Sequence, residues 1–345
     1  MSLTVDVHHD FEEIEEEWDA LCARVDSRPW HTPGWYRPWW ESFGRGTLEI
    51  VTARDSGRLT GLVPLERLGK EIRAAANSQS PDFGIVAETE ASARMLAGAL
   101  FSTGRRVNLF PLSSNEPSSL ALYSAATAAG FSLLDRALGG APYVTITAWD
   151  SYLSSVDTKM LREIRRRRRR LEEMDRLTLE ISTEASDSDL REFFDLEARG
   201  WKGAAGTAIT SRPDTEAFYR RLCSVASSRG WLVLACLRSG PKLIAADLSL
   251  EVDRAHHLLK TSFDPEYARY GPGLLLRYLM LRRAFESDLV SYEFLGLDDP
   301  WKRNWTTTFR PLTHLRAFPP SARGTSERAL FQLGRSVKDL LARSK

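Results

Sequence analysis

Gly271-Pro272-Gly273 follows an apolar strand pattern and opens a helical one. A glycine loop in that setting turns backbone N–H groups and the positive end of a helix toward an anion. Glycine also lets a phosphate approach main chain that a Cβ would shield. An ordinary helix start with Pro272 in its first turn uses the same residues, so the loop alone leaves both readings open. Two acidic positions add possible acid–base chemistry. Asp247 interrupts the apolar strand pattern 243–250, where a carboxylate can take a proton or hold an amine, or simply face solvent. Asp298, Asp299, Lys302 and Arg303 cluster after another strand pattern, either as a salt-bridged surface loop or as a site combining anion and cation binding.

Other chemistries find less support. Cys223 falls in a helical pattern and Cys236 in an apolar strand, where thiols are inert, and with Cys22 they form no C-x-x-C pair. His256 and His257 are adjacent on a strand and point to opposite faces, which disfavours joint metal ligation, so no metal is expected.

The elements that must hold these residues follow from periodicity. Phe11, Ile14, Trp18, Leu21 and Val25 have helical spacing over 11–25, and a second helix starts at Thr32-Pro33 with a Thr cap and carries Trp35, Tyr36, Trp39 and Trp40. Strand, Ser-Gly turn, strand occurs twice, at 48–65 and again at 231–250. Such hairpins are common, and alone they are weak evidence of a repeat. The second half reads as strand 177–183, helices 188–199 and 214–229, the hairpin, strand 255–263, helix 274–286, and strands 289–295 and 312–318. Glycines at 200 and 230 end the two helices. This order predicts an α/β or α+β fold with mixed sheets flanked by helices. Arg165 to Arg170 lie in a helix predicted over 158–176, with Met160, Ile164, Leu171 and Met174 on one face. Glu163 with Arg167, Arg168 with Glu172 and Arg169 with Glu173 make i,i+4 pairs. The helix reads as a solvated linker or as a guanidinium surface for phosphates.

The 345 residues suffice for two domains, and a 43% hydrophobic content can fill their cores. Lys plus Arg total 47 against 46 acids, so bulk attraction to nucleic acid or membrane is not expected. No apolar run approaches a membrane span, and a reducing cytoplasm fits the cysteines.

The chain resembles the GNAT acyltransferases, whose acyl-CoA loop reads [Gln/Arg]-x-x-Gly-x-[Gly/Ala]. Here the run is Ala268-Arg269-Tyr270-Gly271-Pro272-Gly273. It departs at Ala268, and Pro272 removes one N–H donor. More specifically it is similar to the CelD-like acyltransferases, relatives of the FemAB aminoacyl ligases, in which two GNAT-like halves are fused. That likeness rests on Thr32-Pro33-Gly34-Trp35, Asp82-Phe83-Gly84, Gly200-Trp201, Gly271-Pro272-Gly273-Leu274, and the run from Phe294 to Trp305 that includes Asp298, Lys302 and Arg303.

The resemblance implies a degenerate GNAT-like domain over 1–150, a basic linker helix over 151–176, a GNAT domain with the donor site over 177–320, and a helical tail over 321–345. It implies transfer from acyl-CoA or acetyl-CoA, or another pantetheine thioester, to a small-molecule or peptide amine. A carrier protein or charged tRNA is the alternative donor, and an inactive scaffold in a biosynthetic pathway the alternative class. Leu258, Leu259 and Lys260 would pair with the pantetheine arm. Arg269, Tyr270, Gly271, Gly273 and Leu274 would hold the phosphates. Asp247, Asp298 and Lys302 are the catalytic candidates, and Trp35, Arg37, Asp82 and Trp201 the acceptor-site candidates. The first half lacks a G-x-G before its helix at 91–100, so one donor site is expected.

Overall fold

The computed structural model describes residues 3–25 and 27–343, the side chains of Trp201 and of 334–343 excepted. The chain begins β1 (Leu3–His8), α1 (Glu15–Cys22), α2 (Pro33–Phe43), β2 (Thr47–Asp55), β3 (Arg58–Leu68), β4 (Glu71–Ala74), β5 (Val86–Ala87), α3 (Glu90–Ser102), β6 (Arg106–Ser113), α4 (Pro117–Ala128) and β7 (Ser132–Thr145). It continues α5 (Trp149–Ser155), α6 (Thr158–Met174), β8 (Leu177–Ser182), α7 (Asp187–Arg199), α8 (Trp201–Ala204), α9 (Pro213–Ser228), β9 (Leu232–Ser239), β10 (Lys242–Val252) and β11 (Ala255–Phe263). It ends α10 (Pro272–Phe285), β12 (Ser291–Glu293), β13 (Phe309–Phe318) and α11 (Ala322–Arg343).

These elements form two compact units, one of Met1–Trp40, Gly44–Gly139 and Pro311–Lys345, the other of Glu41–Phe43 and Gly140–Arg310. In the first, β1, β2, β3 and β4 run antiparallel in turn, β4 pairs parallel with β6, and β6 pairs antiparallel with β13. Its core sets Leu96, Ala97, Leu100 and Phe101 of α3 and Leu122 and Ala126 of α4 against Val51, Val63, Leu65, Val107 and Leu109 of the sheet. In the second, β8, β9, β10 and β11 run antiparallel in turn, β11 pairs parallel with β12, and β12 pairs antiparallel with β7. The two sheets therefore repeat one pattern of five pairings among six strands, with a helix leading into the fifth strand of each. The Ser-Gly hairpins occupy the same place in both, as β2–β3 and β9–β10.

The boundaries differ from those read from the sequence. β13 lies beside β6 in the first unit, through Leu312 opposite Ser113 and Ala317 opposite Val107. The sixth strand of the second unit is supplied by β7, with Thr145 opposite Ser291. The reason is that β12 has only three residues, after which the backbone turns left-handed at Leu295 and Gly296 and leaves the sheet. Nor is α6 a solvated linker. Leu161, Ile164 and Leu171 are buried in the core of the second unit with Leu275, Leu276, Met280 and Leu281 of α10. Each fully buried side chain of this size stabilises by about 1.5–3 kcal/mol, enough to fix the helix. Met174, expected on that apolar face, is instead exposed. The Thr32 hydroxyl donates to the Pro29 carbonyl at 2.7 Å and is not a side-chain cap of α2.

Candidate functional site

β11 carries the geometry of interest. Its register against β10 passes from Leu248 opposite Lys260 to Ser249 opposite Leu258, so Leu259 is an extra, bulged residue. On its other side β11 pairs with β12 only through Ala255, His256 and His257. Beyond that point β11 runs on to Phe263, and the edge from Leu258 to Phe263 has no second strand beside it among the described residues. An unpaired edge presents N–H and C=O groups ready for an extended ligand.

The edge leads into the glycine loop. The Asp264 carboxylate accepts from the Glu266 N–H at 3.0 Å and starts a 3-10 turn over Pro265–Tyr270. Gly271 then adopts φ 58° and ψ 51° and opens α10. That left-handed conformation suits glycine, and a Cβ there would also lie 2.3 Å from Arg167 Nη1. Arg167 belongs to α6, and its Nε donates to Glu163 Oε1 at 2.6 Å. A guanidinium thus stands at the N-terminus of α10, where the helix dipole also favours an anion. The Arg269 guanidinium lies 4.6 Å from the centre of the Tyr270 ring. Leu274 is partly buried against the core, and Phe263 packs beside Gly273.

Beneath α10, the sheet face holds a buried polar chain. Asp247 is fully buried, and Arg277 Nη2 donates to its Oδ1 at 2.8 Å. Arg277 Nη1 donates to the Tyr292 hydroxyl, whose pKa is pushed up by burial. His256 stacks on Tyr292 with ring centres 4.4 Å apart and shares a hydrogen bond of 2.8 Å with Glu251. Burial raises the pKa of Glu251, but bonds from His256 and Arg283 outweigh it and hold the carboxyl at about 2. Burial lowers the pKa of His256. Asp247 is therefore one half of a buried ion pair. Removing its partner would strand a charge in low dielectric.

Lys302 is buried, and its ammonium donates to the carbonyls of Leu295 and Leu297, both at 2.7 Å, and meets Asp299 at 3.1 Å. Its three donors fasten the left-handed turn after β12, and burial lowers its pKa. Asp298 binds Arg303 through Oδ2 at 2.7 Å, while its Oδ1 is buried without a hydrogen-bond partner. Of the predicted basic-helix pairs, Glu163–Arg167 and Arg168–Glu172 form. The Arg169–Glu173 pair is not among the ion pairs of the described residues.

Trp35, Arg37 and Asp82 all lie in the first unit. Trp35 is core, edge-on to Trp30 at 6.4 Å. Arg37 is held by Glu15 at 2.5 Å. Asp82 accepts from Arg28 at 2.5 Å and Trp30 at 2.7 Å, with His31 at 2.9 Å, and these partners hold its pKa far below the usual range despite burial. It lines a cavity of about 350 Å³ with Arg28, His31, Ser113 and Ser118, in which Trp35 and Arg37 take no part. The expectation for Trp201 concerns a side chain outside the described ones. The helix in the first unit that corresponds to α10 is α3. Its N-terminus is closed by its own Thr89 side chain, which accepts from the Ser92 N–H, and carries Glu90 in the first turn. The cap already engages one of the donors an anion would use, and the Glu90 charge opposes an anion there.

Sequence reasoning missed Arg167, Arg277 and Tyr292. The arginine run masks which of its members turns inward, and the burial of Arg277 on α10 depends on contacts from β10 and β12 that local periodicity does not encode. Among the described residues no cluster of His, Cys, Asp and Glu could hold a metal ion, and no helix is long and apolar enough to cross a membrane.

Residues 158–303 match the family model described as an acetyltransferase (GNAT) domain. This segment is a GNAT acetyltransferase domain. It contains α6, the glycine loop and Lys302, and supports an acyltransferase-type enzyme. No curated protein matches the chain. Among solved structures, FemX is similar at 11% identity and a TM-score of 0.59, over 96% of this chain and 99% of that one. A conserved protein of unknown function from Bacteroides thetaiotaomicron VPI-5482 aligns at 12% identity and 0.58, over 91% and 99%. The C-terminal domain of a putative lysylphosphatidylglycerol synthetase from Agrobacterium fabrum aligns at 16% identity and 0.56, over 95% and 97%. At these identities the likeness is one of fold, and each match spans nearly all of the chain.

Proposed function

We propose that the GNAT domain moves an acyl group from acyl-CoA, or another pantetheine thioester, to an amine acceptor. The observation that best supports this reading is the unpaired edge of β11 from Leu258 to Phe263 running into Gly271 at the start of α10. The amides of a pantetheine arm would add to that edge as a strand does, and its phosphates would reach the Gly273 and Leu274 N–H groups and Arg167. Leu258, Leu259 and Lys260 then contribute backbone, and Arg269 and Tyr270 border the phosphates. Lys302 holds the turn after β12, and the carboxylates of Asp298 and Asp299 beside it are the groups there that would draw a cationic acceptor. Asp247 supports the site through Arg277 and is not itself a base in this reading. Trp35, Arg37, Asp82 and Trp201 remain acceptor-side proposals.

A second reading rests on similarity to FemX and on Arg165, Arg169 and Arg170, which are exposed and carry no ion pair among the described residues. It takes charged tRNA, or an acidic carrier, as the donor. Calorimetric titration with CoA, acetyl-CoA, longer acyl-CoAs, an acylated carrier protein and tRNA separates the two. Saturable binding of the CoA series is expected, and binding of tRNA or carrier alone would overturn the first reading.

A further inference from the structure

Lys260 is the one residue of the β11 edge whose side chain has a setting of its own. Thr261 turns its hydroxyl toward Arg277 of α10, so Lys260, next along the strand, points to the opposite face, which α7 and α9 cover. There its ammonium position lies 5.2 Å from the centre of the Tyr219 ring on α9. Among the described residues it makes no hydrogen bond and no ion pair. The groups that face it are few. Glu197 of α7, 1% exposed, is already engaged by Lys202 Nζ at 2.8 Å and the Ile209 N–H at 2.8 Å. Lys202 of α8 also donates to the Thr261 carbonyl at 3.0 Å, so a second cation stands beside Lys260. Tyr219 is buried and its pKa is raised by burial.

Resting on the acyltransferase reading above, we propose that Lys260 is the proton-transfer residue of the donor slot, taking a proton from the acceptor nitrogen and returning it to the departing sulfur. The amine is suited to this because it is unpaired, belongs to a residue that is only half-buried, and is attached to the strand along which the thioester would lie. Burial first, and then the charge of Lys202, lower its pKa to about 8, against the pull of Glu197. A large fraction is therefore neutral in mildly alkaline solution, which a surface lysine is not. In the step itself, neutral Lys260 accepts a proton from the acceptor ammonium. The freed nitrogen lone pair forms the C–N bond, and the C–S bond breaks with its electron pair going to sulfur. The thiolate then takes the proton from the Lys260 ammonium and the new amide nitrogen releases its second proton to solvent, leaving amide, thiol and the original amine. No metal or oxidant is needed for the balance.

Two measurements on the full chain test this. Labelling with trinitrobenzenesulfonate between pH 6 and 10, read by peptide mapping, should give Lys260 a midpoint near 8 and strong protection by saturating CoA. A midpoint near that of a free lysine, or no protection while calorimetry shows CoA bound, overturns the proposal and leaves the acyltransferase reading intact. If CoA does not bind at all, that reading itself fails. The second measurement is slow hydrolysis of acetyl-CoA, read as thiol release with water as the acceptor. The wild type should show an acid limb near pH 8. Lys260→Gln, and Lys260→Met, which keeps the apolar stem over Tyr219, should lose at least tenfold in rate together with that limb, with CoA affinity within threefold of wild type. An unchanged limb in either folded variant overturns the role.

Discussion

The guanidinium of Arg167 occupies the space that a side chain on Gly271 would need, since a Cβ there would lie 2.3 Å from Arg167 Nη1. One residue comes from the motif and the other from a helix about a hundred positions earlier. In the acyl-donor reading proposed above, Arg167 would supply the cation that the loop lacks at Ala268. Gly271→Ala should therefore do two things: force a left-handed conformation that costs about 1–2 kcal/mol and push Arg167 away. Gly271→Asp adds a negative charge where the donor phosphates would sit. Both variants should stay folded by circular dichroism, with CoA affinity reduced at least tenfold for Ala and binding abolished for Asp. Unchanged affinity in a folded Gly271→Asp would remove the donor site from this loop.

Arg277 and Asp247 should matter more for stability than their distance from the loop suggests. Arg277→Met strands the Asp247 carboxylate, and loss of one partner of a buried pair costs about 3–5 kcal/mol. Arg277→Met with Asp247→Leu removes both charges and should recover much of that loss. Thermal melts of the three variants check this. A double variant no more stable than Arg277→Met would mean that the pair does not act as a unit.

How much of this was legible in the sequence depends on which contacts each feature needs. The hairpins β2–β3 and β9–β10, the strand Ala255–Phe263 and the helix after Gly271 follow from local periodicity and turn residues, and the structure has them. β1 (Leu3–His8) and β4 (Glu71–Ala74) escaped because they are short and mixed in polarity, and their pairing with β2 and β3 defines them as strands. The partners of β7 and β13 escaped for another reason. Which sheet a strand joins is settled by long-range pairing, and nothing in Leu312 to Phe318 names β6 as its neighbour. In the site, Gly271 and Lys302 are visible as motif residues. That Lys302 is spent on two carbonyls and Asp299, and that Asp247 is locked to Arg277, are facts of burial that the residue types leave open.

His256 and Glu251 give a pH dependence with a definite sign. The pKa of buried His256 lies below its ordinary 6.5, so the unfolded chain binds a proton that the folded one refuses as pH falls through that value. The folded Glu251 pKa of about 2 lies below its ordinary 4.5, so its contribution is present above 4.5 and is lost as pH falls toward 2. Stability should fall in two stages on acidification, first below about pH 6.5 and then below about pH 4.5. His256→Gln should remove the first stage. Melting temperatures from pH 7.5 to 3.5 read this, and a wild-type profile flat down to pH 5 would refute the assignment.

The arginine run separates small from macromolecular donors, because α6 turns its members in different directions. Arg167 faces Gly271, whereas Arg165, Arg169 and Arg170 are exposed and Arg166 is tied to Glu163 at 2.7 Å. A small CoA meets the loop amides and Arg167, so Arg167→Gln should weaken CoA binding about tenfold or more, the loss of one charge-assisted bond of about 1.5–3 kcal/mol. Changing Arg165, Arg166, Arg169 and Arg170 together to Gln should alter acyl-CoA affinity by less than about tenfold, or about 1.4 kcal/mol. A tRNA donor would use the exposed members as phosphate contacts. The fourfold change would then cost orders of magnitude in affinity and flatten the dependence of binding on salt. Isothermal titration of the two variants with acetyl-CoA and with tRNA, each at two salt concentrations, decides the matter. Acyl-CoA binding that survives the fourfold change but not Arg167→Gln assigns the donor to the loop. A fourfold variant that loses tRNA binding, in a protein that never turned over acyl-CoA, assigns it to the outer face of α6.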